Sequence, residues 1–143
     1  MRSLIRVIVA VPIMALTITG GVWAQSGLTR QDRQGPVTVV VTPASPLATG
    51  TPLKFKMALD THSVNLDGIA WEQAIVPRLP GGREFSPDAV EQAKGSGHHR
   101  EAVLAFPAVT GRAESILVEV SIVVKNVGGV GERIFTWPLA TGQ

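Results

Sequence analysis

Two stretches of the chain alternate apolar and polar residues with the two-residue period of a half-buried β-strand. In the first, residues 53–59, the apolar positions are Leu53, Phe55, Met57 and Leu59, and Lys54, Lys56 and Ala58 lie between them. In the second, residues 115–125, one face would carry Ile116, Val118, Val120, Ile122 and Val124. Both stretches therefore predict strands that bury one face, and continuing the first one puts Asp60 and His62 on its outward face.

Shorter segments rich in β-branched and aromatic residues indicate further strands. These segments are residues 37–42, 69–76, 83–86, 99–107 and 133–137. Proline- and glycine-rich stretches separate them, as expected for turns. In residues 69–76 the alternation is imperfect, so a short helix is an open alternative there. Five aromatic side chains are expected in the core: Trp71, Phe85, Phe106, Phe135 and Trp137.

One segment carries the end signals of a helix. Ser86 can act as an N-cap, Pro87 suits the first helical position, and Gly95 can end the helix, so a short helical segment is predicted near residues 87–94. Six or seven short strands with almost no helix predict an all-β fold, an antiparallel immunoglobulin-like β-sandwich of about seven strands. The cysteine pair of immunoglobulin domains is absent, and a small β-barrel is the alternative.

The first 24 residues have the pattern of a secretory signal peptide. A basic start with Arg2 and Arg6 precedes an apolar run, and Ala24 suits cleavage by signal peptidase. The apolar run, residues 7–18, is shorter than the roughly 20 residues that a membrane-spanning helix needs. We therefore expect a periplasmic or secreted protein with no membrane span after cleavage. Residues 25–35 are predicted to be a flexible lead, and residues 36–143 a single β-sandwich domain.

The charge balance changes once the signal peptide is removed. The whole chain has 13 Lys and Arg residues against 11 Asp and Glu residues. Because Arg2 and Arg6 lie in the signal, the mature chain carries equal numbers of basic and acidic residues, which argues against nucleic acid as a partner. The chain also has no cysteine, which excludes disulfides, thiol nucleophiles and thiolate metal ligands.

All three histidines lie in two short stretches, Asp60-Thr61-His62-Ser63 and Gly97-His98-His99. Because imidazole and carboxylate groups bind Cu(II) and Zn(II), these stretches predict a metal site formed by His62, His98, His99 and Asp60, with Glu101 as a further candidate carboxylate. The alternative is that Asp60, Thr61 and Ser63 form ordinary turn hydrogen bonds and that the histidines are simply solvated.

No catalytic motif accompanies the histidines. The chain has no nucleophile elbow, no phosphate-binding loop and no tyrosine, so we expect a non-enzymatic protein. Two functions remain open. One is an exported β-sandwich that binds Cu(II) or Zn(II) through its histidines. The other is an interaction module without a small ligand, which docks onto an envelope protein partner through a sheet edge or a loop face.

Three sequence patterns resemble a group of small exported bacterial proteins of uncharacterised function. Residues 60–64 match (Asn/Asp)-Thr-His-Ser-Val, and residues 128–137 match Gly-Gly-Val-x-Glu-Arg-x-Phe-x-Trp. Residues 96–99 resemble Gly-Gly-His-His, with Ser96 in place of the first glycine. The chain lacks the lipid-anchoring cysteine found in some members of the group. The resemblance implies export and a single β-domain.

Overall fold

A computed structural model describes residues 26–110 and 118–141. The described residues form eight strands: β1 (Arg30–Asp32), β2 (Val37–Pro43), β3 (Leu53–Thr61), β4 (Ile75–Arg78), β5 (Ala89–Ser96), β6 (His99–Phe106), β7 (Val118–Val127) and β8 (Val130–Leu139). They also contain a 3₁₀ turn at Ser26–Leu28 and the short helix α1 at Trp71–Ala74. The predicted signal peptide, residues 1–24, lies outside the described residues. Within the described residues, no helix is both long enough and apolar enough to cross a membrane.

The strands form two antiparallel sheets. The larger sheet has the order β1-β2-β3-β6-β5, and the smaller has the order β4-β7-β8. Without β1, the larger sheet has four strands and the smaller sheet has three. Their order is that of an immunoglobulin constant-type sandwich, and β1 is an additional strand beside β2. The predicted all-β antiparallel sandwich is therefore confirmed, and two separate sheets rule out the small barrel.

The core lies between the two sheets and follows the predicted alternation. Along β3, the residues from Leu53 to Thr61 alternate between buried and more exposed positions as the sequence pattern requires. The Phe55 ring centroid lies 5.1 Å from that of Trp137 on the opposite sheet, and 6.3 Å from that of Phe106 on its own sheet. Four of the five aromatic residues expected in the core are buried, and Phe85 is half-buried at its margin.

The helix predicted near residues 87–94 is wrong, because this segment belongs to the edge strand β5. β5 pairs with β6, and its register shifts by one residue between Glu91 and Lys94, next to Gln92 at φ 50°. The cap signals at Ser86 and Gly95 are local, and the segment has no apolar face that a helix could pack against the core. Its backbone groups are therefore better satisfied by hydrogen bonds to β6 than by a short helix. Among the described residues the α-helix is instead α1 (Trp71–Ala74). It lies within residues 69–76, where a short helix was the alternative to a strand.

Residues 26–35, predicted to be a flexible lead, are instead packed onto the sandwich. The indole nitrogen of Trp137 donates to the Leu28 carbonyl oxygen over 2.7 Å. Arg30 donates to the Thr136 carbonyl oxygen over 2.9 Å and stacks on the Trp137 ring at 5.5 Å. The polar composition of this segment was therefore misleading, because the Leu28 carbonyl oxygen and the Arg30 side chain bind β8 of the other sheet.

Val123 is buried although its alternation places it on the outer face of the smaller sheet. It lies in register between Val76 on β4 and Ile134 on β8. Arg78 on β4 and Glu132 on β8 lie on opposite sides of this apolar row. A hydrogen-bonded ion pair of 2.7 Å joins them across it. This pair spans the row, and we attribute the burial of Val123 to it and to the two flanking apolar side chains.

Candidate functional site

The two histidine-bearing stretches meet at one end of the sandwich. The Thr61 backbone nitrogen, at the end of β3, donates to the His98 carbonyl oxygen over 3.0 Å. Beyond it, the Leu66 nitrogen donates to the Gly97 carbonyl oxygen over 2.8 Å. We call the side chains displayed here the histidine rim: Asp60, His62, His98 and His99. The structure therefore brings all four predicted site residues to the same end of the domain.

Side chains of Asp67 and Arg100 strengthen this junction. An Asp67 carboxylate oxygen accepts from the Gly97 backbone nitrogen over 2.7 Å. Arg100 donates to the carbonyl oxygens of Leu66 and Ile69, each over 2.8 Å. The Arg100 guanidinium also lies 5.0 Å from the ring centroid of Trp71. These contacts fix the backbone on which the rim side chains are mounted.

The role of Arg100 was missed in the sequence, although a signal was present. On β6 it alternates in step with Ala102 and Leu104, both of which are buried. An arginine on the inward face of a strand needs hydrogen-bond partners, because an unpaired buried charge is strongly unfavourable. That placement could have indicated a structural arginine directly after the two histidines.

His99 and Asp60 are direct neighbours across the strand pair β3–β6. The His99 Nδ1 atom lies 3.6 Å from Asp60 Oδ2, and its Nε2 atom lies 3.2 Å from Glu101 Oε1. Both ring nitrogens thus face carboxylates. A neutral imidazole has a single N–H and can donate to one of the carboxylates, whereas a protonated ring can donate to both.

Glu101 lies under a cluster of cationic side chains on the outer face of the larger sheet. Its Oε2 atom lies 3.1 Å from Lys94 Nζ and 3.2 Å from Lys56 Nζ, and its side chain is 16% exposed. The interaction with Lys94, assisted by Lys56 and His99, outweighs burial and lowers the pKa of Glu101 to about 2. Glu101 therefore remains ionised and organises this face.

His62 and His98 are exposed. Among the described residues, neither imidazole has a hydrogen bond or ion pair with another side chain. In residues 26–110 and 118–141, no group of three or more His, Asp or Glu side chains is arranged to hold a metal ion. Binding of Cu(II) or Zn(II) by His62, His98, His99 and Asp60 therefore stays a prediction from the sequence.

Beside the rim, Asp60 and His62 line a polar depression of about 310 Å³. Its other walls come from Thr61 at the end of β3 and from β1, β2 and the turn between them, which contribute Gln31, Arg33, Pro36 and Thr38. The sequence could not indicate this depression, because Gln31 and Arg33 lie in the segment predicted to be a flexible lead. Only the pairing of β1 with β2 brings them next to β3.

No protein-family model, curated protein or solved structure matches this chain. The rim and the depression beside it are therefore the structural features from which a function can be inferred.

Proposed function

We propose that this protein is exported to the periplasm or secreted, and that it acts there as a non-catalytic binding module. Export is supported by the signal-peptide pattern of residues 1–24. In this proposal the module docks onto an envelope protein through the histidine rim. The immunoglobulin-like sandwich serves as the rigid scaffold that presents it.

A single observation carries the proposal: the rim combines a fixed backbone with free side chains. Hydrogen bonds to Gly97 and His98 hold the backbone of the two stretches together. The imidazoles of His62 and His98 are exposed and make no hydrogen bond with a described residue. Because the backbone is already ordered, binding through these side chains costs little further conformational entropy.

Other surfaces of the larger sheet are less suited to docking. Both of its edges have features that oppose strand addition: β1 has three residues, and β5 has a register shift and carries the edge lysine Lys94. Its outer face is occupied by internal ion pairs, including Lys54–Glu91 and Lys56–Glu101. The rim, by contrast, presents side chains whose hydrogen-bonding groups are available.

The proposal can be tested by photo-crosslinking in the host envelope. The photoreactive amino acid benzoylphenylalanine would replace His98 in the full chain, and a second variant would carry it in place of Glu119. Glu119 is an exposed residue at the start of β7, at the far end of the sandwich. We expect one discrete crosslinked product from position 98 and none from position 119.

Two further arms make this result specific to the rim. Adding Asp60→Asn and His62→Ala to the position-98 variant should weaken the crosslink, whereas Glu119→Gln should leave it unchanged. The same products from both ends, or none from position 98, would overturn the docking proposal. Tight binding of Cu(II) or Zn(II) by the mature protein that is lost in His62→Ala would instead favour metal sequestration.

A further inference from the structure

The depression beside the rim has features of a small-ligand site that docking does not require. Its volume of about 310 Å³ is at the lower end of the range for ligand pockets in proteins. A water molecule takes up about 30 Å³ in the liquid, so the space exceeds what one or two ordered waters fill. We call it the Arg33 depression, after the cation in its wall.

Arg33 differs from most other cationic side chains of the described residues in having no carboxylate partner. Six of these side chains have one: Lys54, Lys56, Arg78, Lys94, Lys125 and Arg133. Arg30 and Arg100 instead donate to backbone carbonyl oxygens and stack on tryptophan rings. Arg33 makes one long hydrogen bond, 3.4 Å to the amide oxygen of Gln31. Its guanidinium therefore has several N–H groups available to a ligand.

The opposite charge in the depression comes from Asp60. The Asp60 side chain is 57% exposed, and among the described residues its ion-pair contact is with His99 Nδ1, at 3.6 Å. Most of the acceptor capacity of the carboxylate is therefore available. Thr38, its direct partner on β2, adds a half-buried hydroxyl without a hydrogen bond to a described residue. His62 contributes an imidazole that can donate or accept. The depression thus presents a cation, an anion and further hydrogen-bonding groups together.

We infer that the Arg33 depression binds a small zwitterion, a molecule that carries one carboxylate and one ammonium group, as an α-amino acid does. The ligand carboxylate pairs with the Arg33 guanidinium, whose planar fork suits bidentate binding of a carboxylate. The ligand ammonium group binds the Asp60 carboxylate. A ligand with negative charge alone would meet repulsion from Asp60, and a cation alone would meet repulsion from Arg33.

This inference goes beyond the proposed docking and can fail while the docking stands. Arg33 and Thr38 are outside the histidine rim, and the crosslinking experiment does not depend on them. Conversely, a zwitterion could occupy the depression in a protein that has no envelope partner.

The test is a titration of the mature protein followed by ¹H–¹⁵N nuclear magnetic resonance. L-alanine is the probe, because its carboxylate and ammonium are its only polar groups. Propionate lacks the ammonium group, and L-alaninamide lacks the carboxylate. We expect L-alanine to cause saturable shifts at the amides of Arg33, Thr38 and His62. Both one-charge analogues should bind at least about tenfold more weakly, since each leaves one charged group of the site unpaired.

Matched variants test the two charged groups. Arg33→Gln and Asp60→Asn should each weaken L-alanine binding by about tenfold or more. Arg83→Gln is the control, because Arg83 is also exposed, has no described carboxylate partner, and lines a different depression with Phe85 and Pro107. It should bind L-alanine as the wild type does. Absence of saturation, equal binding of propionate, or undiminished binding by Arg33→Gln would overturn the inference.

Discussion

The Nε atom of Arg133 on β8 donates to Oδ1 of Asp32 on β1 over 2.9 Å, which joins the last strand to the first across the sandwich. Arg133 is only 2% exposed. Its other N–H groups donate to the carbonyl oxygens of Val127, Gln34 and Val37. A single buried guanidinium therefore holds β1, the start of β2 and the β7–β8 turn together.

Replacing this buried guanidinium should strongly destabilise the fold. We expect Arg133→Met to lower the free energy of unfolding by about 3–5 kcal/mol, because it removes a charged hydrogen-bond donor from Asp32 and from three carbonyl oxygens. Urea unfolding of the mature protein would measure the loss. Arg83→Met, at an exposed arginine, is the control and should change stability by less than about 0.5 kcal/mol. Equal effects of the two substitutions would contradict the structural role of Arg133.

Two glycines near the β5–β6 turn, Gly95 in β5 and Gly97 in the turn itself, make a matched pair for testing the rim. Gly95 and Gly97 have φ of 83° and 64°, a region that non-glycine residues avoid. A Cβ atom on Gly95 would also collide with the His99 carbonyl oxygen, whereas one on Gly97 would meet no atom within 4 Å.

We therefore expect Gly95→Ala to destabilise the domain clearly more than Gly97→Ala, whose cost should be about 1–2 kcal/mol from the backbone conformation alone. Thermal and urea unfolding of the two variants would measure the difference. Similar stabilities would show that the close approach of Gly95 to His99 does not constrain the turn.

The ionised state of Glu101 should make stability depend on pH in the acid range. Its pKa is about 2 in the folded protein, against 4.5 for the free side chain. Since the folded value is the lower one, ionised Glu101 contributes its full stabilisation above about pH 4.5. That contribution is lost as the pH falls towards 2.

Glu101→Gln should therefore lower the free energy of unfolding by about 1–2 kcal/mol at neutral pH, a value reduced for the solvent screening of Lys56 and Lys94. The difference between wild type and variant should shrink as the pH falls from 4.5 towards 2. Urea unfolding at several pH values would measure it, with Glu119→Gln as the control. A difference that stays constant over this range would contradict the assignment.

Arg100 should determine how rigidly the rim is held. In Arg100→Met the carbonyl oxygens of Leu66 and Ile69 lose their described side-chain donor, at a cost of about 1–3 kcal/mol. We expect faster amide hydrogen exchange at Leu66 and Gly97, and weaker crosslinking from position 98. Exchange at the core strand β7 should change much less. A uniform increase across both sheets would instead indicate global destabilisation.

The strands with strict alternation or many β-branched residues were predicted well, whereas β1 and β5, which have neither pattern, were not. Along β3 the predicted inward face from Leu53 to Leu59 is the buried face in the structure. The segment near Val90 has no such pattern, and its local helix signals were overridden by pairing with β6. The alternation along β7 puts Val123 on the outer face, but its burial depends on Val76 and Ile134, which lie on other strands.

Part of the candidate site was predictable in the same way. The alternation of β3 placed Asp60 on the outward face, where it lies opposite His99. The contribution of Arg33 was not predictable, because the short strand β1 has no apolar pattern. Its position depends on contacts that Arg30 and Leu28 make with Trp137, more than one hundred residues away in sequence.

By itself, the sequence determined the all-β class, the inward faces of the alternating strands and the absence of thiol chemistry. These properties depend on the two-residue period of a strand and on composition, both of which are local. Only the tertiary structure decided that the segment containing Val90 is a strand, that the stretches around His62 and His98 meet, and that Arg33 faces the same depression as Asp60. These relationships depend on which strands pair and which carbonyl oxygens a buried arginine reaches, and such long-range contacts leave little trace in local sequence.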